Sequence, residues 1–567
     1  MFFGISAKSR DEGDLFYSAI RLFVFFSPFL VGGYYEWSSC LLSVWLLCSL
    51  AIAMYKRGRI IVPKSCILFA AAVVAAAYGL SALWAIDRGM AILGMIKFLP
   101  LPLFAVVIAQ VSSAQRRRLF SLIPLSGTVM TGTSAVLGLL PALHSFFYVN
   151  SRLAGFFQYP NTFALFLLAG VIIVLCDTKL AWKQTAILAV LFLGIALSGS
   201  RTVFAMLIIF GLFFITQIGK RERLIVCGIM LALLLCSALY AALTDNYASI
   251  SRYLTTSLTS STFLGRFLYY IDAIPIIAKH PLGLGYLGYY FTQGAFQTGV
   301  YSVVNVHNDL LQILLDIGWI PSGICVYAVI RRFCVKRHTR PDCFLIIAVC
   351  LHCLFDFDLQ FPAVGFILIM ALTVDDPALC SADKRFFIPA AIVCSLVCFY
   401  FGSASFLYYR NDCKSAVKLY PGYTLAWTQL LSAADNVSEL NSTADRVIEL
   451  NESVSLAYSA KAKASYANGD FGHVIEYKKK ALQCAKYELD EYLDYFDMLY
   501  VGIRLYAEHN DAYSADVCRK TLFEIPEMLA EVTEQSSPLA WRINDQPNLV
   551  LPDEYMRKLT ELKVGTT

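Results

Sequence analysis

Long apolar runs recur along the first 409 residues of the chain, and short basic or polar segments separate them. An α-helix needs about 20 predominantly apolar residues to cross a bilayer, and most of these runs approach that length. The pattern therefore predicts an all-α, polytopic helical membrane protein with about 12–13 spans. The predicted spans are 15–35, 38–54, 66–86, 90–111, 119–141, 162–177, 184–199, 202–218, 224–243, 309–330, 342–356, 359–374 and 386–408.

Two interpretations of the 342–374 stretch are open, because its two short apolar segments flank the polar sequence HCLFDFDLQFP. The segments form either two spans or a re-entrant hairpin. Two crossings place the C-terminal region outside the cytoplasm, and a single crossing places it inside.

The amino-acid composition supports a membrane protein. Hydrophobic residues make up 58% of the 567 residues, charged residues only 15%, and the mean hydropathy is +0.61, which is too apolar for a soluble protein. The net charge is only +5, and the basic residues fall in short clusters between apolar runs. This distribution argues against nucleic acid as a partner.

The basic clusters predict the orientation of the spans, because Lys and Arg concentrate in cytoplasmic loops. They occupy alternate loops, as at Lys56 to Arg59 and at Arg331 and Arg332. The N-terminus is therefore predicted to be cytoplasmic. The large polar loop 244–306 is predicted to lie on the outer side of a membrane domain that covers residues 1–409.

The C-terminal region, 410–567, has the composition of a soluble helical domain. Ala, Tyr and Leu recur there at helical spacing in two segments broken at the sequence NGD, in the manner of a tetratricopeptide-type hairpin. About one such repeat is clear. We expect this domain to be extracytoplasmic, either as a helical cap or as a scaffold for a partner or acceptor.

Polar side chains on the predicted outer side are the candidate functional residues, since ionisable groups at membrane depth are costly and usually functional. Arginine offers paired donors that suit phosphate oxygens, and histidine can take a proton from a hydroxyl near neutral pH. The set therefore predicts transfer of a group from a phosphate leaving group. The candidates are Arg152, Arg201, Arg266, Lys279, His280, His307, Asn308, His352, Asp356 and Asp358.

Structural roles are open for several candidates. Arg201 could anchor a span at the membrane interface, Arg266 could form a surface salt bridge, and His307 could be a solvated loop residue. Asp309 and Gln312 fit a variant capping box at the start of the next helix, so we expect Asp309 to be structural.

His352 and Asp356 are four residues apart, a spacing that predicts a hydrogen-bonded pair on one helical face. Asp356 and Asp358 form the sequence DFD, which resembles the metal-binding DxD of nucleotide-sugar transferases. It follows an apolar helix on the outer side, where nucleotide sugars are normally absent. We therefore expect no metal, and we assign His352, Asp356 and Asp358 to orienting the residues that contact substrate.

Four segments between Arg152 and Met370 resemble the O-antigen ligase and polymerase superfamily of bacterial envelope glycan enzymes. In chain order they are SRLAGFFQYPNTFALFL, LSGSRTVFAML, GRFLYYIDAIPIIAKHPLGLGYLGYYF with VHNDLLQILLDIGWIPSG, and HCLFDFDLQFPAVGFIL. The resemblance implies a GT-C-like, multi-pass protein of the bacterial cytoplasmic membrane. It also implies metal-independent, inverting glycosyl transfer from an undecaprenyl-pyrophosphate-linked glycan, without a cofactor.

The same resemblance implies roles for individual residues. Arg201 and Arg266 would hold the pyrophosphate, and His307 would assist the acceptor or the leaving group. The residues assigned to substrate binding are Arg152, Asn308, Lys279 and His280.

Both ligase and polymerase activities fit these motifs. A lipid, another glycan chain, a wall polymer or a protein side chain could each be the acceptor. The alternatives from other classes are a flippase or exporter of lipid-linked glycans and a receptor whose outer helical domain binds peptide.

Overall fold

The computed structural model describes residues 14–176, 180–244, 261–335, 338–543 and 549–564. Helices account for most of these residues, and strands occur among them only as two short antiparallel pairs. This confirms the predicted all-α class. The described part of the chain divides into two compact units. The first comprises the described residues within Met1–Leu80, Leu93–Ser257 and His307–Phe406, and the second comprises those within Ser81–Ile92, Leu258–Val306 and Leu407–Thr567.

The elements up to residue 244 are the following. They are α1 (Leu15–Phe26), α2 (Glu36–Arg57), β1 (Arg59–Pro63), α3 (Cys66–Ser81), α4 (Arg88–Phe98), α5 (Pro100–Ala109), α6 (Ser113–Phe120), α7 (Leu122–Leu137), α8 (Pro141–Phe147), β2 (Tyr148–Val149), β3 (Arg152–Leu153), α9 (Pro160–Leu175), α10 (Trp182–Ser198), α11 (Arg201–Ile215) and α12 (Lys220–Thr244).

The later elements follow the same numbering. They are α13 (Ser261–Lys279), α14 (Gly288–Phe296), α15 (Asp309–Ile317), α16 (Trp319–Phe333), α17 (Arg340–His352), α18 (Pro362–Leu372), β4 (Ala378–Asp383), α19 (Lys384–Tyr409), α20 (Cys413–Leu419), α21 (Thr424–Ser432), α22 (Val437–Leu450), α23 (Ser455–Ala467), α24 (Phe471–Cys484), α25 (Leu489–Glu508), α26 (Ala512–Glu534) and α27 (Asp553–Val564).

Four helical segments of the described residues are long and apolar enough to cross a membrane. They are Glu36–Arg57, Arg88–Ala109, Ser113–Leu137 and Lys384–Tyr409. Shorter apolar helices, among them Pro160–Leu175, account for several further predicted spans. These features are those of an integral membrane protein.

Helix α9 is the centre of the first unit. Its sequence PNTFALFLLAGVIIVL carries no charge, and nearly every side chain from Thr162 to Leu175 is buried. A helix that is apolar on all sides is stable only when other helices surround it. Helices α7, α10, α11 and α17 pack around α9 and bury it.

Helices α17 and α18 pack against each other and flank the DFD sequence. Helix α17 ends at His352, a short 3₁₀ helix covers Asp358–Gln360, and Pro362 begins α18 at a position where a missing N–H costs nothing. The 342–374 stretch therefore contains two short helices joined by a polar turn, as its sequence predicts.

The second unit combines residues 81–92, α13 and α14 with the C-terminal helices. Ile86 N–H donates to the carbonyl of Leu284 at 3.0 Å, and Lys486 N–H donates to the carbonyl of Gly294 at 3.3 Å. Successive C-terminal helices pack against each other, as α23 does on α24 and α25 on α26. The segment around Gly294 is therefore part of the same compact unit as the C-terminal helices.

Candidate functional site

Arg152 lies in a short β-hairpin of the first unit that has a two-residue turn. Tyr148 pairs with Leu153, and Val149 pairs with Arg152. The two turn residues, Asn150 and Ser151, have φ of 49° and 60°, the left-handed values that a type I′ hairpin turn requires. The hairpin therefore fixes the backbone from which the Arg152 side chain extends.

Two hydrogen bonds hold the guanidinium of Arg152. Its Nε donates to the carbonyl of Ser198 at 2.7 Å, and an Nη donates to Asn161 Oδ1 at 2.6 Å. Ser198 ends α10, and α11 begins only three residues later, at Arg201. The structure thus brings Arg152 to the turn that carries Arg201.

The Asp356 carboxylate contacts the side chains of Asn161, Tyr159 and His307. Its side chain is only 1% exposed. Its Oδ2 accepts from Asn161 Nδ2 at 2.7 Å, and its Oδ1 accepts from the Tyr159 hydroxyl at 2.7 Å. Oδ1 also lies 3.2 Å from His307 Nδ1. A buried carboxylate requires such donors, since burial without them costs several kcal/mol.

His307 contacts this carboxylate from the segment that precedes α15. Its φ of 56° is uncommon for a residue with a side chain, and its ring packs edge-on against Phe357 with centroids 5.0 Å apart. The side chain is 21% exposed. A carboxylate that accepts from Nδ1–H fixes the tautomer in which Nε2 carries the lone pair. This arrangement suits a proton acceptor.

The prediction that Asp309 caps the next helix is wrong, because Asn308 is the N-cap of α15. Asn308 Oδ1 accepts from the N–H groups of Leu310 and Leu311, and its Nδ2 donates to the carbonyl of Leu354. These bonds give Asn308 a structural role besides the predicted substrate contact. Asp309 Oδ2 accepts instead from Leu359 N–H at 2.9 Å.

The predicted pair of His352 and Asp356 is also wrong. Helix α17 ends at His352, so the four-residue spacing does not continue on one helical face. His352 Nδ1 instead contacts Asp358 Oδ2 at 2.5 Å, and both side chains are fully buried. Asp358 Oδ1 accepts from the Thr162 hydroxyl at 2.7 Å. The first unit therefore holds two separate His–Asp pairs, one partly exposed and one buried.

A group that could ligate a metal includes Asp358 of the buried pair. One ligand atom each from Asp309, Cys353 and Asp358 lie within 4.8 Å of one another, and all three residues are buried. Carboxylates and a thiolate suit different metals, since hard cations prefer oxygen and thiolate favours zinc. The mixed donor set does not identify one metal.

Arg201 is the first residue of α11 and follows Gly199, whose φ of 60° ends α10. Its Nε is buried and has no hydrogen-bond acceptor among the described residues. Arg201 also forms no salt bridge with the described part of the chain. A guanidinium donor in this state favours an anionic ligand, because arginine is always charged and a buried unpaired donor is costly.

The remaining candidates belong to the second unit. Arg266 lies on α13, where its positive charge opposes the rise in the pKa of Tyr269 that burial causes. Lys279 and His280 end the same helix, and the carbonyl of His280 accepts from Gly283 N–H at 2.9 Å. The side chain of Lys279 is exposed, and its predicted contact with substrate stays a prediction.

Residues 186–322 match the family model described as O-antigen ligase. This part of the chain is similar to O-antigen ligases. The match confirms the resemblance to that superfamily and supports a glycan ligase or polymerase function. No curated protein matches the chain.

The part of the chain that matches the O-antigen ligase model contains only part of the candidate site. Its matched residues include Arg201, Arg266, Lys279, His280, His307 and Asn308. Arg152, His352, Asp356 and Asp358 lie outside the matched range. The carboxylate that holds His307 therefore comes from a part of the first unit beyond the matched range.

Tyr159, Asn161 and Thr162 are site residues that the sequence analysis missed. Tyr159 and Asn161 bind Asp356, and Thr162 binds Asp358. The available signal is their position, since they stand at the start of the apolar helix α9 in the sequence QYPNT, a few residues after Arg152. Polar residues at the start of a fully buried helix need partners inside the protein.

Proposed function

We propose that this protein transfers a glycan from an undecaprenyl-pyrophosphate-linked donor to an acceptor at the outer face of the bacterial cytoplasmic membrane. The match to the O-antigen ligase model supports the general class, a ligase or polymerase. The lipid-linked donor, the outer face and the inverting, metal-independent mechanism are parts of the proposal. A lipid-borne donor accounts for a reaction at the membrane boundary.

The contact between His307 and Asp356 is the observation that carries the proposal. A partly exposed imidazole whose Nδ1 faces a buried carboxylate has a fixed ring orientation and the tautomer in which Nε2 can accept a proton. Glycosyl transfer needs such a group, because an acceptor hydroxyl must lose a proton as it attacks. General-base catalysis of this kind contributes roughly 10²–10⁴-fold to a rate.

The proposed reaction is one displacement at the anomeric carbon of the donor sugar. The acceptor oxygen forms a bond to that carbon, and its proton passes to His307 Nε2. The bond from the carbon to the pyrophosphate oxygen breaks, and undecaprenyl pyrophosphate leaves with the electron pair. Attack opposite the leaving group inverts the configuration at the carbon.

Arginines stabilise the leaving group in this proposal. Negative charge grows on the pyrophosphate as the bond breaks, so preorganised guanidinium groups bind the transition state more tightly than the ground state. Arg201 is proposed for this role because its buried Nε lacks an acceptor among the described residues. The resemblance implies the same role for Arg266. Loss of one such donor costs on the order of 3 kcal/mol, roughly a hundredfold in rate.

Arg152 has a different proposed role. Its Nε and one Nη bind Ser198 and Asn161, so these donors already have protein acceptors. It therefore supports the turn before Arg201 and the amide that binds Asp356. Lys279, His280 and Asn308 are proposed to contact the donor or the acceptor. The C-terminal helices are proposed as a tetratricopeptide-like scaffold outside the membrane.

Reconstitution of the purified protein tests this function. The protein is incorporated into liposomes with a lipid-pyrophosphate glycan, and products are analysed by mass against a panel of lipid, glycan and peptide acceptors. A product with donor glycan joined to one acceptor supports a ligase, and a series of masses spaced by one repeat unit supports a polymerase. Movement of intact donor across the bilayer without any new product contradicts both activities.

A further inference from the structure

A cavity of about 600 Å³ lies in the first unit, between the start of α3 and the end of α16. Its walls also include Val62 and Pro63 at the end of β1 and Leu379 near the start of β4, the strand that pairs with β1. None of the candidate residues of the glycan-transfer site lines it. Its size is within the range of about 300–1,000 Å³ that small-ligand pockets occupy.

The cavity is basic at its rim. Lys64 and Arg331 line it with exposed side chains, and neither forms a salt bridge with a described residue. Both belong to loops that the distribution of Lys and Arg predicts to be cytoplasmic. The positive end of the dipole of α3, which begins at Cys66, lies at the same wall. The rim therefore favours an anion.

Arg332 is a buried charged residue that hydrogen bonds hold in the wall of the cavity. It is only 6% exposed, and it binds Asp376 through both Nη atoms, at 2.9 and 2.7 Å, and the Ser65 hydroxyl at 3.2 Å. Asp376 is the one carboxylate among the described residues that line the cavity, and Arg332 neutralises it. Its Nε is buried without a hydrogen-bond acceptor among the described residues.

Another part of the cavity wall is apolar. Leu68, Phe69 and Ala72 line it along one side of α3, and Leu379 adds to it. Phe69 is 59% exposed and Leu379 is 63% exposed. A soluble anion would gain nothing from this wall. A molecule with a phosphate at one end and a hydrocarbon chain at the other would contact both the basic rim and the apolar part of the wall.

We propose that this cavity binds an anionic phospholipid of the cytoplasmic leaflet, with its headgroup phosphate at Lys64 and Arg331 and an acyl chain along Phe69 and Ala72. Basic pockets between membrane helices on the cytoplasmic side are suited to anionic headgroups. The bound lipid joins the start of α3 to the end of α16 and stabilises the first unit. The site is independent of the proposed glycan transfer.

Native mass spectrometry of the detergent-purified full chain tests this site. Phosphatidylglycerol and phosphatidylcholine with identical acyl chains are titrated separately, and the bound fraction gives each dissociation constant. We expect selective binding of phosphatidylglycerol. Equal binding of the two lipids overturns the proposal. So does saturable binding of inorganic phosphate alone that depends on Lys64, because the ligand would then be a free anion.

Three variants locate the site. Each basic side chain near an anionic surface contributes about fivefold to binding, so Lys64→Gln combined with Arg331→Gln should weaken phosphatidylglycerol binding about 25-fold. The matched control, Lys220→Gln with Arg223→Gln, removes two exposed charges from the start of α12 and should leave the constant unchanged. Ala72→Trp keeps every charge but fills the apolar wall, and it should also abolish selective binding. Wild-type affinity in the first double variant or in Ala72→Trp contradicts the site.

Discussion

His307 Nδ1 and Asp356 Oδ1 lie 3.2 Å apart although 49 residues separate them in the sequence. The carboxylate is buried, whereas the imidazole is partly exposed. The buried carboxylate therefore holds Nδ1 while part of the imidazole ring stays exposed. This relationship gives the proposed reaction its proton acceptor.

Asp356→Asn should slow glycan transfer by about a hundredfold or more, because an amide that donates to Nδ1 selects the wrong tautomer of His307. Binding of the donor should change much less than the rate. The matched control is Asp516→Asn, which removes the surface partner of Lys520. Steady-state transfer by both variants checks this prediction, and an unchanged rate in Asp356→Asn would exclude the carboxylate from the reaction.

His352→Ala should reduce stability where His307→Ala does not. His352 and Asp358 are both fully buried, and removal of one partner from a buried pair costs about 3–5 kcal/mol. His307 is partly exposed, so its loss should leave the melting temperature near that of the wild type. Thermal unfolding in detergent measures both variants. Equal melting temperatures would show that the His352 pair does not support the first unit.

Asp87 should make the stability of the second unit depend on pH. Burial raises its pKa above the ordinary value of 3.8, although Met90 N–H and Asn451 Nδ2 donate to it at 2.9 and 3.2 Å. The folded protein therefore binds the proton of the Asp87 carboxyl more tightly than the unfolded chain does. The contribution of protonated Asp87 to the free energy of unfolding is complete below the pKa that Asp87 has in the unfolded chain. It is lost as pH rises through the pKa that Asp87 has in the folded protein.

Amide hydrogen exchange near Asn451, measured across this pH range, tests whether stability falls as pH rises. Local protection in the wild type should fall as pH rises, after correction for the intrinsic exchange rate. Asp87→Asn should show a flat profile, because the amide does not titrate. If protection rises with pH in the wild type but not in Asp87→Asn, the result contradicts the assigned upward shift in the pKa of Asp87.

Chelation should leave glycan transfer unchanged. In the proposed mechanism arginines neutralise the pyrophosphate, the task that a magnesium or manganese ion would otherwise perform. Transfer by the reconstituted protein is measured with EDTA and after addition of either metal. Loss of activity with recovery on metal addition would contradict the arginine mechanism. Cys353→Ser would then test whether the group of Asp309, Cys353 and Asp358 holds the ion.

The hydrophobic pattern predicts the fold class well, because a bilayer demands long apolar helices whatever their tertiary contacts. Local sequence predicts the start of α15 to within one residue, since Asn and Asp are both good N-caps and only the structure distinguishes Asn308 from Asp309. The polar stretch with two short helices around DFD is also evident from sequence alone.

The partners of the site residues could not be predicted from the sequence. The pairing of His352 with Asp356 assumes that one helix continues past His352, and the chain turns there instead. Asn161 reaches Asp356 across 195 residues, a contact that depends on how α9 packs between other helices. Periodicity describes one helix at a time, so it contains no information on such contacts.

The rate of glycan transfer in a single turnover by His307→Asn tests the central claim most directly. The asparagine amide can replace Nδ1 as the donor to Asp356, but it offers nothing at the position of Nε2. With donor bound in advance, the variant should transfer glycan at least about a hundredfold more slowly than the wild type, with similar donor affinity and melting temperature. Transfer at the wild-type rate would contradict the assignment of His307 as the proton acceptor.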